Sequence, residues 1–505
     1  MITDFHGLRV TVMGLGTFGG GIGAVRFLVA RGAIVTVTDL RSEHVLRHSI
    51  GELISTPPAR WRLGGHHADD FTGADLIVVS PAVPRESDWL NLAREAGVPL
   101  TSEMNLFWER NRGRVIGITG SNGKSTTTAM IHSLMSQAVE KGPRSPITID
   151  SFPARPQSGS DGGPCDSEGT RVWLGGNIGQ SLLPVVDEIQ PRDWVVLELS
   201  SFQLEDLAPL RPNPECAVIT NFTPNHLDRH GTVEAYRNAK QNLLRWQSSD
   251  RSAVLNQDDP EVSCWEAAAR VVGFGTRDVG TEGLYLLPGK VRAETQALFR
   301  FANQESLLAI GRWLTLPGDH NLKNALAAGA CALALGADER AVESGLSAFR
   351  GLPHRLELVA DCAGRRFYND SKATTPEAAI LALQAFAEPV VLMAGGYDKE
   401  IDLLPLVRAM VDRPVRAVAL LGQTAATLES MLQTVDPAGS VLHQSFDDFE
   451  SAFRWAAGQS KAGDVVLLSP GCASYDWFEN YEERGRVFRD LAGRWRPGAA
   501  PSAPF

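Results

Sequence analysis

Zinc-type cysteine spacing, a membrane-spanning apolar run and a surplus of basic charge are all missing from this 505-residue chain. Its six cysteines (Cys165, Cys216, Cys264, Cys331, Cys362 and Cys472) include no C-x-x-C pair and no neighbouring histidine cluster. That excludes a zinc ribbon and fits free thiols in a reducing compartment. No stretch reaches the ~18 consecutive apolar residues that cross a bilayer. The opening Met-Ile-Thr-Asp-Phe-His lacks the basic-then-apolar order of a secretion signal. A cytoplasmic protein with no membrane partner is expected. Lys and Arg number 48 against 59 Asp and Glu, a net charge of −11. Nothing is therefore left over to neutralise a nucleic-acid backbone, and no nucleic-acid partner is expected. No repeat of solenoid period is present either.

What is there is an ordinary globular composition, 43% hydrophobic and 21% charged, in a chain too long for one core; about three domains are expected. Residues 8–13 read as an apolar strand, 14–23 as a glycine turn, 24–30 as a helix, 33–38 as a second strand and 76–79 as a third, stopped by Ser80-Pro81. Gly14-Leu15-Gly16-Thr17-Phe18-Gly19 matches G-x-G-x-x-G, and Asp39 follows at the next strand end. Taken alone this predicts a Rossmann-like unit for NAD, although the same turn cradles any diphosphate-linked nucleotide.

The most informative stretch is Gly117-Ile118-Thr119-Gly120-Ser121-Asn122-Gly123-Lys124-Ser125-Thr126. An apolar strand runs into a glycine turn where Gly120 and Gly123 let backbone N–H groups converge on phosphate oxygens. Lys124 can then reach the terminal phosphates, Ser125 can sit on Mg²⁺, and a helix starting near Thr126 adds its positive dipole end. Ile118 stands where the full phosphate-loop consensus wants glycine. Short buried strands at 194–197, 217–220 and 253–256 continue this unit as a parallel sheet. Residues 137–170 turn Ser-, Gly- and Pro-rich and read as a long surface insertion. Strands at 366–368, 390–393, 417–421 and 465–468 alternate with helices in a third α/β pattern.

Chemistry gathers at the strand ends. Glu198 closes the 194–197 strand, where a Mg²⁺ ligand beside a phosphate loop belongs. His226 follows the next strand. Lys240, inside Tyr236-Arg237-Asn238-Ala239-Lys240, reads from pattern alone as a surface lysine on a helix over 232–245. Residues 318–324, 369–376 and 469–476 each place small polar groups where N–H donors can bind anions.

Together these residues resemble the Mur ligase family, the ATP-dependent amide-forming enzymes of peptidoglycan precursor synthesis. The resemblance runs through residues 14–19, 120–126, 176–179, 198–204, 226–229, 240, 320–324, 354–355, 369–374, 395–399 and 469–485. The Glu-Leu-Ser-Ser-Phe-Gln-Leu and Ser-Pro-x-x-Ala-Ser-Tyr-Asp-x-Phe runs point to the D-glutamate-adding branch. It implies three α/β domains: a Rossmann-like UDP-substrate domain (1–112), a P-loop-type central ATPase domain with a mostly parallel sheet (113–350), and a Rossmann-like amino-acid domain (351–505).

The resemblance also implies roles. Gly120, Ser121, Asn122, Gly123, Lys124, Ser125, Thr126, Asn321, Arg355, Asp370 and Lys372 would bind ATP. Ser125, Glu198, His226 and Lys240, the last as a carbamate, would hold two Mg²⁺, with Lys124, Glu198, His226 and Lys240 as the catalytic set. Leu15, Gly16, Thr17, Phe18, Asp39, Arg41, Ala82 and Asn177 would take the UDP substrate, UDP-N-acetylmuramoyl-L-alanine. Thr374, Lys399, Ser474, Tyr475 and Tyr481 would frame D-glutamate. These small molecules are the expected partners of a monomer.

Overall fold

A computed structural model describes residues 2–16, 19–140, 169–287, 289 and 294–497. Thr17, Phe18, Cys165, most of the expected insertion and the end of the chain beyond 497 lie outside these described residues.

Three sheets organise the chain. The first comprises β1 (Arg9–Met13), β2 (Ile34–Asp39), β3 (Arg60–Leu63), β4 (Leu76–Val79) and β5 (Leu100–Thr101), all parallel, in the order β3-β2-β1-β4-β5. Strand order reverses at β1, so the glycine turn after it opens at the switch point, where ligands of such sheets gather.

The second sheet runs β14-β13-β12-β11-β10-β9-β6-β8-β7. Its strands are β6 (Arg114–Thr119), β7 (Val172–Gly176), β8 (Trp194–Glu198), β9 (Cys216–Ile219), β10 (Ser252–Asn256), β11 (Arg270–Gly275), β12 (Gly283–Leu286), β13 (Ala297–Phe301) and β14 (Gln304–Leu308). Only the β12-β13-β14 edge is antiparallel. The inner strands β8, β9 and β10 are buried throughout, which is why they read as unbroken apolar runs rather than alternating ones. The third sheet, β15 (Glu357–Cys362), β16 (Arg365–Asn369), β17 (Val390–Gly395), β18 (Val415–Leu421), β19 (Leu442–Ser445) and β20 (Val465–Leu468), is ordered β15-β16-β20-β17-β18-β19. All but its β15-β16 pair is parallel.

Contacts gather the chain into two compact units, Met1–Trp313 with Lys323–Ala348, and Leu314–Leu322 with Phe349–Phe505. The first unit contains two sheets because they share one apolar core. Phe27 and Leu28 of the first sheet's helix Gly20–Ala30 belong to the same cluster as Leu183, Val186 and Val195. The small side of that helix makes the approach possible: a Cβ on Gly23 would meet Ser181 Oγ at 2.4 Å.

Several sequence expectations need correcting. The helix after the phosphate loop starts at Lys124, not near Thr126, and runs to Glu140, so residues 137–140 are its last turn and not the start of an insertion. The expected 232–245 helix stops at Gln241. The helix expected from residue 24 begins at Gly20. Strands β3, β5, β7, β11–β15 and β19 are not among the expected ones; most are short or lie at or near a sheet edge, while β11, six residues long between β10 and β12, begins with the wetter Arg270 and Val271. Gln304 and Glu305 on β14, for example, face solvent and break the apolar signature.

Candidate functional site

The phosphate loop is pinned from below by the end of β9. Thr220 Oγ1 donates to the Asn122 carbonyl at 2.6 Å. Asn221 exchanges two bonds with Asn122, its Oδ1 accepting from the Asn122 N–H (2.8 Å) and its Nδ2 donating to the Asn122 carbonyl (2.9 Å). Ser121 Oγ donates to the Thr223 carbonyl (2.8 Å) and lies 3.2 Å from the Tyr236 hydroxyl. Two glycines are obligatory. A Cβ on Gly120 (φ 148°) would lie 1.9 Å from Thr220 Oγ1, and one on Gly123 (φ 79°) 2.4 Å from Asn324 Oδ1. Ile118 is buried within β6, so the strand simply continues through the position where the consensus has glycine.

Two lysines converge on this turn. Lys124 Nζ donates to the carbonyls of Gly120 (3.1 Å) and Ser121 (3.0 Å). Lys240 Nζ donates to the same Gly120 carbonyl at 2.6 Å and lies 4.6 Å from the centre of the Tyr236 ring. Lys240 is 1% exposed, which corrects the surface reading: the helix Val233–Gln241 turns this residue inward. Burial first, then repulsion from Lys124, pushes its ammonium down to about 6. Near neutral pH it is an uncharged amine, the form that can attack an electrophile.

Glu198, at the end of β8, is 2% exposed. Its Oε1 accepts from Asn177 Nδ2 at 2.9 Å, while its Oε2 is buried with no protein partner. An orphaned carboxylate oxygen is costly unless something outside the protein completes it, and a divalent cation would. Among the described residues no three of His, Cys, Asp or Glu converge as a ready-made metal site, so a cation here needs other donors too. His226 follows β9 in a left-handed conformation (φ 54°) that side-chain-bearing residues rarely adopt. Partial desolvation, then repulsion from Lys124, holds its imidazole below the usual value. Phe202 meets it edge-on at 5.2 Å. Ser125 and Thr126 occupy the first turn of the helix Lys124–Glu140.

At the first sheet's glycine turn, Asp39 is already engaged. Its carboxylate accepts from Arg41 Nε (3.1 Å) and Nη2 (3.0 Å), from the Arg41 N–H (2.9 Å) and, more weakly, from the Gly16 N–H (3.4 Å). Burial pushes this acid up, but the Arg41 bonds outweigh it and the net direction is down. An acid so clasped is poorly placed for the ribose of a dinucleotide. Leu15 is packed in the core, leaving only its backbone to a ligand, and Ala82 is exposed on the Ser80–Pro84 turn. Arg229 Nη2 donates to the Val83 carbonyl of that turn at 2.7 Å.

In the second unit Thr374 and Lys399 line one concavity, together with Asp398, Thr424, Gly471, Cys472 and Ala473. Tyr475, 63% exposed, stands at its rim against Tyr397 (6.0 Å between rings), with Lys399 Nζ 5.9 Å from its ring centre. Ser474 is buried beside it. Asp370 accepts from Ser469 Oγ (2.7 Å) and the Leu356 N–H (3.2 Å), and burial pushes it up to about 7. Lys372 Nζ lies 5.5 Å from the Tyr481 ring centre. Asn321 Nδ2 donates to the Pro317 carbonyl at 2.7 Å. Arg355 keeps a buried Nε with no partner. Sequence reasoning passed over Thr220, Asn324, Thr424 and Arg484. The first, second and fourth lie inside stretches it had singled out, and a hydroxyl, amide or guanidinium there was the available signal; nothing marked Thr424.

Comparison with known proteins extends over the whole chain. Residues 8–102 match the Mur ligase MurD-like N-terminal domain, 118–332 the Mur ligase middle domain, and 354–472 the Mur ligase glutamate ligase domain. A UDP-N-acetylmuramoylalanine--D-glutamate ligase of Anaeromyxobacter dehalogenans is 39% identical over 97% of this chain and 98% of its own length. Ligases of the same name from Roseiflexus and Acidobacterium capsulatum are each 38% identical, covering 96% and 98% of this chain and 98% of their own lengths. Among solved structures, the UDP-N-acetylmuramate-alanine ligase of Thermotoga maritima superposes with a TM-score of 0.58 at 21% identity, covering 96% of this chain and all of that one. A MurF ligase from the same organism in complex with ADP gives 0.53 at 18% identity, covering 97% of this chain and 96% of that one. Three domain models in order and relatives aligned end to end lead to one conclusion: the chain belongs to the Mur ligase family.

Proposed function

We propose that this chain is an ATP-dependent ligase that joins D-glutamate to UDP-N-acetylmuramoyl-L-alanine in peptidoglycan precursor synthesis, releasing ADP and phosphate. The observation that carries the reading is Lys240, a buried amine at 2.6 Å from the phosphate-loop carbonyl of Gly120, on the same loop as Lys124. A nucleotide-binding module has no use for a second buried lysine there. A ligase that must gather cations around a transferring phosphoryl group does.

In this reading residues 1–112 take the UDP end of the substrate, 113–350 take ATP, and 351–505 take the amino acid. The N–H groups of the 120–126 turn and Lys124 hold the ATP phosphates. Lys240, neutral because it is buried, adds its nitrogen to CO₂; the new N–C bond and the loss of one proton leave an anionic carbamate. Ser125, Glu198, His226 and that carbamate would hold two Mg²⁺, which would offset the charge growing on the transferred phosphoryl group. Asn177 keeps Glu198 aimed by fixing one of its two oxygens. The substrate carboxylate attacks the γ-phosphorus and ADP leaves. The D-glutamate nitrogen then attacks the resulting acyl phosphate, and phosphate departs as the amide forms. Asn321, Arg355, Asp370 and Lys372 serve ATP, while Thr374, Lys399, Ser474, Tyr475 and Tyr481 serve D-glutamate.

The test is ADP release measured with each substrate omitted in turn. Release should require both UDP-N-acetylmuramoyl-L-alanine and D-glutamate for steady turnover, and it should fall in CO₂-depleted enzyme and return with bicarbonate. Release indifferent to D-glutamate would remove the assignment; indifference to bicarbonate would remove the carbamate alone.

A further inference from the structure

The C-terminal unit buries a guanidinium, Arg484 on the helix Tyr481–Arg494, to 2% exposure. Its donors are spent on two loops. Nε donates to Ser371 Oγ (2.9 Å), and Nη2 donates to the carbonyls of Ser371 (2.9 Å) and Cys472 (3.2 Å). Nη1 donates to the carbonyl of Ala473 (3.1 Å). That last carbonyl also accepts from the Tyr397 N–H at 3.0 Å, so a third loop is tied to the same point. The approach there is close: a Cβ on Gly396 (φ 148°) would meet the Ala473 oxygen at 2.2 Å. Ser371 Oγ in turn donates to the Tyr481 carbonyl at 2.8 Å, closing the network onto the helix that carries the arginine.

None of these partners is a carboxylate. Asp476 acts on Arg484 through space, its own oxygens being held by the N–H groups of Trp477 and Gln423. A fold that needed only to fill this volume would do better with an apolar side chain, because a buried ion must be stripped of water. What the guanidinium offers instead is a rigid planar fork that spaces its acceptors. The three loops it spaces carry Lys372 and Thr374, Ser474 and Tyr475, and Lys399.

We propose that Arg484 is a positioning residue for the acidic amino acid. Its fork fixes the spacing of the 371 and 472–473 loops, and through the shared Ala473 carbonyl it holds the 397 loop to them. The inference rests on the D-glutamate reading given above.

Steady-state kinetics of the full-length enzyme with UDP-N-acetylmuramoyl-L-alanine, ATP and D-glutamate test it, using Arg484→Lys and Ser371→Ala. Lysine keeps the charge but cannot reach all four acceptors, and alanine removes one acceptor while leaving the arginine in place. The KM for D-glutamate should rise about tenfold in Arg484→Lys and about threefold in Ser371→Ala, with the KM for the UDP substrate within about twofold of wild type. Should Arg484→Lys not fold, Ser371→Ala decides alone. A D-glutamate KM within about twofold of wild type in both variants overturns the inference, as does a parallel rise in both KM values, which would mean general loosening. Wild-type enzyme that ignores D-glutamate would instead overturn the underlying reading, so the two failures are distinguishable.

Discussion

Lys240 in the first unit and Arg484 in the second face the same physical difficulty and resolve it in opposite ways. Each is a buried cation with no carboxylate in hydrogen-bond contact. Lys240 has one acceptor, the Gly120 carbonyl, and a second lysine near it, so burial and repulsion bring it down to about 6. Arg484 has four acceptors, and burial brings it down only to about 10. The lysine therefore sheds its charge near neutral pH while the arginine keeps it. A residue that gives up its proton inside a phosphate site is available for chemistry; one that holds it against four oxygens is architecture.

That contrast can be broken most directly at Lys240. Lys240→Met should lower kcat by at least about a thousandfold while the melting temperature holds or rises, since a buried amine has been replaced by an apolar chain. Retained turnover, or a marked loss of stability, would put Lys240 on the architectural side. Asn177→Ala, which frees one oxygen of Glu198, sharpens the chemical side. The Mg²⁺ concentration for half-maximal activity should rise about 10- to 100-fold, as for other residues that orient a metal ligand; an unchanged Mg²⁺ titration would detach Glu198 from metal binding.

Arg484→Met is the mirror image and should be felt in folding. Leaving its neutral acceptors unpaired should cost on the order of 1–3 kcal/mol for each one that finds no new donor, seen as a lower urea midpoint. A midpoint equal to wild type would show that the fork is dispensable.

Acids supply the next test. Glu103 is only partly buried as a residue, yet its carboxyl is shielded beside Ser181 Oγ and pushed from 4.5 to about 7. Below pH 4.5 both folded and unfolded chains hold this proton. Between 4.5 and about 7 the unfolded chain has lost it and the folded one has not, so stability falls as pH rises and levels off above about 7. The loss is at most on the order of 3 kcal/mol. Glu103→Gln should abolish that decline, giving a higher urea midpoint than wild type near pH 8 and convergence in acid; parallel pH profiles would refute the shift. The smallest effect is expected at Ser200, which caps the helix Ser201–Leu207 reciprocally with Gln203. Ser200→Ala should cost about 1 kcal/mol in the same assay.

How much of this could be read in advance differs between the two lysines of the phosphate turn. Lys124 sits in a local motif whose backbone geometry follows from glycine spacing after a strand, so its place and its neighbours were readable without the fold. Lys240 lies in Tyr-Arg-Asn-Ala-Lys, a helical segment with a polar face, and nothing in that pattern says which way the fifth residue points. Only resemblance to known ligases singled it out. Asp39 shows the same gap: its position after β2 was readable, but its capture by Arg41 depends on a turn closing two residues later. Helix starts were misplaced by up to four residues because glycine and serine at an N-terminus look like loop, and the edge strands were missed because their faces are half wet.

The sequence by itself determined what depends on neighbours along the chain: the parallel strands that announce themselves as buried runs, the glycine turns that follow β1 and β6, and membership of a ligase family through many ordered motifs. Tertiary structure decided what depends on partners far apart in the chain. It set Lys240 against a carbonyl 120 residues away, left one oxygen of Glu198 without a mate, and joined the loops at 371 and 472 through one guanidinium. Charge and proton affinity follow water exclusion and the surrounding dipoles, and those exist only once the chain has folded.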